Sequence, residues 1–327
     1  MLTLLNMTFG TSTHVPSTLH EFYESMFLFL VYRHDETKPG FVREKATQLS
    51  NAELQDSFEH FAYLSKEFGV SLTDEEFAVC AKNAATLSSK KFSPEDFRKD
   101  LTETVCLMMK DGLRTAYIHR SIQEFFAAFF VKHLGSEGTV EKIYNNFADG
   151  NVMTWQQELR FLEQIDGYRY IEYFRLPAIR SFLTASGYVS GRKIAVTKSN
   201  FTAFMLSQPI YYMPKHIGKG HPASRRENFF LVALSSTKAF NSITFELTKL
   251  FDCDGILADA SQLNGMSTQP ELQQNRFAKR LPNWKAEADA ALDKFRDFAA
   301  RLDEERQKLE LTLKTRKSHF RDLLFAR

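Results

Sequence analysis

The chain has 327 residues, 43% hydrophobic content and 31 phenylalanines, enough for about two or three modest globular cores. Its 42 basic and 40 acidic residues leave a formal net charge of +2, which excludes a global field suited to gripping nucleic acid or an anionic membrane. Cys80, Cys106 and Cys253 stand far apart with no C-x-x-C pair, which argues against a disulfide framework or zinc site and fits a reducing cytosol.

Residues 2–9 are apolar, without a basic segment or a small-residue cleavage site, so they read as a short buried helix and not as a signal peptide. The longest apolar runs, 22–32 and 125–134, are about half of the ~20 residues a membrane helix needs. Thr18 with Glu21 makes a capping box that opens a helix to about residue 33, with Leu19, Phe22, Tyr23, Met26, Phe27, Leu30 and Val31 inward. After a polar break, 51–68 is a second helix burying Leu54, Phe58, Phe61, Ala62, Leu64 and Phe68, stopped by Gly69. Thr73 with Glu76 caps a third, stapled by Leu72 on Phe77. Ser93-Pro94 starts a fourth, with proline at the first helical position, where its missing N–H costs nothing.

Residues 101–134 then read as strand, turn, strand and helix. Asp111-Gly112 is a strong turn signal between Val105-Cys106-Leu107-Met108 and Ala116-Tyr117-Ile118, because glycine tolerates the positive φ of a two-residue hairpin. Ser121 with Glu124 forms a capping box, which predicts a helix start at Ser121. Ile122, Phe125, Phe126, Phe129, Phe130 and Leu134 recur at spacings of three and four and form one broad core-facing stripe. Three helices feeding a hairpin and a closing helix describe a winged helix at residues 49–135.

Beyond Gly135, 140–147, 152–165 and 168–182 read as short helices. Residues 187–198 alternate as a short strand or hairpin turning at Gly191-Arg192. Residues 205–228, with three prolines, read mostly as loop; 229–251 as a helix or strand pair; 252–270 as a linker. From Trp284 to about Phe325 an apolar seam, Trp284, Ala288, Ala291, Phe295, Phe298, Leu302, Leu309, Leu313, Phe320 and Leu324, is interrupted by Glu305 and Arg316. The seam predicts one helix about 60 Å long, either associating with a partner helix or second copy, or packing back on its own chain.

The run Tyr117-Ile118-His119-Arg120-Ser121-Ile122-Gln123-Glu124-Phe125-Phe126-Ala127-Ala128 resembles the F-x-H-x-S-x-Q-E-F-x-A-A signature that closes the winged-helix domain of NACHT proteins, the STAND-type signalling ATPases of innate immunity and bacterial anti-phage defence. Eight positions coincide in type and order. A looser likeness covers about residues 2–180. It implies that residues 1–48 end a first helical domain behind an ATPase core and that 136–280 form a second helical region with some β. It also implies that His119 touches the phosphates of bound ADP and holds the closed, inactive state. Read from the residues alone, His119 is either a phosphate donor or a strand-end histidine bonded to a backbone carbonyl. Arg114 and Arg120 flank it as phosphate partners or solvated side chains, and Gln123 and Glu124 read as capping and packing residues.

A phosphate loop, G-x-x-x-x-G-K-[ST], does not occur: Gly191-Arg192-Lys193 and Gly218-Lys219-Gly220 lack the spacing. This chain is therefore expected to be non-catalytic and to carry no cofactor alone, ADP or ATP belonging to a longer parent. The basic stretch Lys215, His216, Lys219, His221, Arg225 and Arg226 reads as a phosphate-touching or solvated loop. Asp252, Asp254 and Asp259 lack calcium-loop spacing, no metal site is expected, and a G-x-S-x-G elbow is absent.

The expected fold is thus mainly α: the end of a helical domain (1–48), a winged helix with a β-hairpin (49–135), a helical or mixed region (136–280) and a long C-terminal amphipathic helix (281–327). The expected function is the regulatory part of a NACHT-type cytoplasmic switch that controls nucleotide-dependent oligomerisation, assembling with an ATPase core in cis or trans. The alternatives are a scaffold assembling through 281–327 and a winged-helix DNA-binding protein, although Phe77–Leu87 and Phe97–Leu107 offer few basic residues to a groove.

Overall fold

The computed structural model describes residues 18, 20–25, 27, 44–148, 154–191, 196–201, 210–214, 229–233 and 285–325, with only the backbone described at 210–214, 229–233, 285–291 and 318–325. The helix expected at 2–9, most of that at 18–33, the basic residues 215–226 and the three aspartates of 252–259 lie outside these residues. The fold is mainly helical with a small antiparallel sheet, and no described helix is long and apolar enough to cross a membrane. The chain divides into two compact units: Met1–Val140 with Trp155–Gly167, and Glu141–Thr154 with Tyr168–Arg327.

In the first unit, α1 (Asn51–Leu64) opens on a capping box in which Ser50 Oγ accepts the Glu53 N–H and Glu53 accepts the Ser50 N–H. It tightens into a 3-10 turn (Ser65–Glu67) and turns at Gly69, whose φ of +91° demands glycine. After β1 (Ser71–Leu72), α2 (Asp74–Leu87) starts on the expected Thr73–Glu76 box, with Leu72 and Phe77 both fully buried. α3 (Pro94–Lys99) starts on Ser93 with proline in its first turn.

One expectation fails here. Residues 105–107 do not form a strand, because α3 runs on into a π-turn (Asp100–Thr104) that uses the Val105 and Leu107 N–H groups on the Asp100 and Leu101 carbonyls. Cys106, at φ +53°, then swings the chain into β2 (Met108–Asp111). β2 pairs with β3 (Arg114–Tyr117) through the loop Gly112-Leu113, where only Gly112 has positive φ, the sign pattern of a II′ turn. The sheet order is β1-β3-β2, all antiparallel. Three helices, with β1 between the first two, thus precede a hairpin.

α4 (Arg120–His133) follows at once and is buried at every position from Ile122 to Val131. A helix enclosed on all sides needs neighbours all round. α1 and α6 (Gln156–Ile165) are among those packed on it, and the segment 20–27 contributes rings. Ring pairs tile the interface: Phe58 on Phe126 at 4.9 Å, Phe61 on Phe77 at 4.8 Å, Phe125 on Phe161 at 5.3 Å. These edge-on and tilted geometries add to area burial.

The second unit contains α7 (Gly167–Tyr170), a π-turn (Ile171–Arg175), α8 (Leu176–Ala185), the pair β4 (Ile210–Pro214) and β5 (Phe229–Ala233), and α9 (Lys285–Phe325). α5 (Glu137–Asn146) precedes them in the chain. Two expectations are corrected. Residues 187–191 carry no strand: Gly187 (φ +65°) closes α8 in a Schellman motif, with its N–H on the Thr184 carbonyl and that of Tyr188 on Leu183. Residues 198–201 form a helical turn capped by Thr197. β4 lies within the stretch expected as loop, because the aromatic run Tyr211-Tyr212 pairs antiparallel with 229–233 while Pro214 sits at the strand end, where its missing N–H is tolerated.

α9 packs on its own chain. Phe182 of α8 meets Phe295 and Phe298 at 5.7 and 5.5 Å, and Phe201 meets Phe295 at 5.1 Å. Glu305 takes a two-pronged bond from Arg175 (2.6 and 2.8 Å), Glu310 accepts from Arg180, Lys317 pairs with Glu172, and Arg316 lies over Tyr168. The two seam interruptions are thus contacts within the unit.

Candidate functional site

The helix start predicted at Ser121 lies one residue earlier, and the cap is not Ser121. His119, in extended conformation (φ −153°, ψ 140°), caps α4: its Nδ1 accepts the Ser121 N–H at 3.2 Å. Glu124 does not reach back to Ser121; it turns to Arg120, whose Nε lies 3.1 Å away one helical turn earlier. The competing partner wins because an arginine four positions back offers a charged donor to a buried carboxylate.

Ser121 Oγ instead bridges two side chains, meeting His119 Nδ1 on one side and the buried Tyr23 hydroxyl on the other. Since Nδ1 accepts the Ser121 N–H, the neutral imidazole carries its proton on Nε2. His119 is exposed, so that Nε2–H is offered to solvent at the N-terminus of a 14-residue helix, where free N–H groups and the helix dipole favour anions.

Behind the cap, a second network holds α4. Gln123 Nε2 donates to Ser65 Oγ and to the Gly69 carbonyl, both at 2.9 Å, and the Tyr117 hydroxyl lies 2.7 Å from Ser65 Oγ. Ser65 Oγ in turn donates to the Ala62 carbonyl. The Gln123 amide N–H groups and the Ser65 and Tyr117 hydroxyls all have partners, and burial pushes the Tyr117 phenol far up. Gln123 is therefore a packing residue, as expected.

Beside this network, Lys66 Nζ lies 2.6 Å from Glu158 Oε1, both side chains being almost wholly buried. Neither Glu158 oxygen meets hydrogen-bond geometry with a side-chain donor, so Lys66 acts on the carboxylate as an ion pair. Burial raises the Glu158 pKa against the lowering pull of Lys66, with Glu124 raising it further. Lys66 also lies 5.4 Å from the Trp155 ring centroid.

Of the predicted flanking residues, Arg114 does not face a ligand: its guanidinium donates to Ser71 and Glu76. Arg120 is exposed but held to Glu124. Tyr23 and Ser65 join the site unforeseen, since the sequence marks them only as apolar-face and helix-end residues. Cys80 and Cys106 are free thiols, and among the described residues no three His, Cys, Asp or Glu stand together as metal ligands.

Comparison with family models, curated proteins and solved structures finds no match for this chain.

Proposed function

We propose that this chain is the non-catalytic, regulatory part of a NACHT-type signalling ATPase, in which the end of β3 and the start of α4 face the phosphates of ADP supplied with an ATPase core in cis or trans. The observation that carries the reading is His119, which caps α4 through Nδ1 and so turns a fixed Nε2–H outward. In such a switch the imidazole–diphosphate contact exists in the closed state alone. Loss of that contact biases the protein toward open, oligomerising forms. Two unpaired described cysteines suit a reducing, cytoplasmic setting.

Two observations favour this reading over its rivals. The exposed positions of Pro94–Thr104 are Glu95, Lys99 and Glu103, a mixed surface unlike the one-signed face that grips duplex DNA. At Phe295 and Phe298 the apolar seam of α9, required free by a scaffold assembling through it, is covered by Phe182.

The test is binding of Mg-ADP to the 327-residue chain, followed through the His119 ring resonances. A charge-assisted bond plus a helix N-terminus supplies about 3–4 kcal/mol, a dissociation constant on the order of a millimolar. His119→Ala should remove that binding, and no variant should turn over ATP. ATP hydrolysis by the chain alone, or salt-sensitive binding of random duplex DNA without response to ADP, would overturn the proposal.

A further inference from the structure

We infer that Tyr23 is a positioning residue for His119: acting through Ser121, it locks the imidazole as the Nε2–H tautomer with that donor directed at a nucleotide phosphate. What the donor serves rests on the proposed function; the lock itself does not.

The inference follows from the direction of the hydrogen bonds. His119 Nδ1 accepts the Ser121 backbone N–H at 3.2 Å, so it holds a lone pair and no proton. The Ser121 hydroxyl, in contact with the same nitrogen, must therefore donate to it. That commits the only hydroxyl proton of Ser121, so the Tyr23 hydroxyl donates to Ser121 Oγ. Three protons point the same way along Tyr23, Ser121 and His119, and the last imidazole proton is left on Nε2.

Tyr23 is well built for this task. Its ring is fully buried, stacked on Phe125 at 5.1 Å and meeting Phe161 edge-on at 5.8 Å, so the hydroxyl cannot swing away. Burial raises its pKa, which keeps the phenol a neutral donor. The tyrosine lies 98 residues before Ser121 and comes from a different segment of the first unit. Any shift of the helical turn at 20–25 therefore reaches the imidazole through one hydrogen-bonded chain. That gives the site a regulatory input: displacement of residues 20–25 frees the His119 tautomer.

The experiment uses the full chain labelled with ¹⁵N-histidine, the His119 signals being assigned with His119→Gln. Wild type should show one tautomer, with a pyridine-like Nδ1. In Tyr23→Phe, which keeps the ring and loses the hydroxyl, the preference for Nε2–H should fall roughly fivefold, with a melting temperature lowered by only a few degrees. Ser121→Ala should do the same and decides the matter should Tyr23→Phe fold poorly. An unchanged tautomer ratio in both variants, or mixed tautomers in wild type, overturns the inference. A Mg-ADP titration separates it from the proposed function. The tyrosine variant should bind about three- to tenfold more weakly. If wild-type His119 ignores Mg-ADP, or both proteins bind it equally, the nucleotide reading falls while the tautomer arm still judges the lock.

Discussion

The two units are held together by different physics. In the first, a continuous cluster of rings encloses α4; of its interior polar groups, Gln123, Ser65, Tyr117 and Asp100 are hydrogen-bonded and Lys66 is ion-paired with Glu158. In the second, one apolar strip on α9 is flanked by a ladder of ion pairs to 168–185. Apolar burial is insensitive to salt and scales with area, whereas half-exposed ion pairs are screened and contribute little each. The first unit should therefore be the stiffer element that presents a site, and the second the one whose contacts respond to conditions.

The largest expected effect tests the aromatic core. Phe126→Ala should cost about 3–5 kcal/mol, as a buried ring is lost and a cavity remains. Denaturant unfolding should show the loss in the first unit, and hydrogen exchange should show α9 unaffected. A loss under 1 kcal/mol would mean that α4 is not the centre of the unit.

Next comes Asp100, a buried carboxylate accepting from the Ala46 N–H (2.8 Å), the Thr47 N–H (3.1 Å), the Thr47 hydroxyl (2.6 Å) and the Thr104 hydroxyl (3.3 Å). Asp100→Ala strands these donors and should cost about 2–4 kcal/mol, freeing residues 44–49 to exchange before the rest of the unit opens.

On the other side of the comparison, Arg175→Ala should destabilise the α8–α9 contact by only about 1 kcal/mol. Raising salt from about 0.05 to 0.5 M should speed exchange in α9 and leave α4 unchanged. Equal salt responses would erase the contrast drawn between the units.

The smallest effect is a pH dependence in the first unit. His133 Nδ1 lies 2.7 Å from Glu59, a buried carboxylate that also accepts from Gln55. The bond to Glu59 raises the His133 pKa above its ordinary 6.5, against desolvation. A raised histidine pKa stabilises the fold below the unfolded value, and that contribution fades as pH climbs through the folded one. Because the imidazole is about half exposed, solvent screening limits the effect to under about 1 kcal/mol. Stability should decline between pH 6 and 8, and His133→Gln should flatten the profile.

What the sequence made legible follows the range of the forces involved. The Thr73 and Ser93 caps, the glycine turn of the hairpin and the long C-terminal helix are local patterns, and each stands where expected. Ser-x-x-Glu is the usual box and points to Ser121, while a histidine cap followed by a competing arginine has no common signature. β4 is hidden in the sequence by the prolines in and around it, Pro209 and Pro214, and by a partner far along the chain. His119 was visible as a candidate from the motif, but Tyr23, its link to the imidazole, belongs to a distant segment. No spacing rule connects residues 23 and 121.

The ladder along α9 has one more consequence. An apolar strip repeats every three or four residues, so alone it would let a long helix ratchet by one turn, about 5.4 Å, at little cost. The charged partners do not repeat. A slip of four residues would set Arg180 against Arg306 or Lys314, and Arg175 against Arg301 or Leu309, in place of Glu310 and Glu305. In one direction both arginines would then meet arginines; in the other Arg180 would meet Lys314 and Arg175 would lose its carboxylate. The pairs act as a vernier, weak in holding the helix down and strict about where along its length it is held.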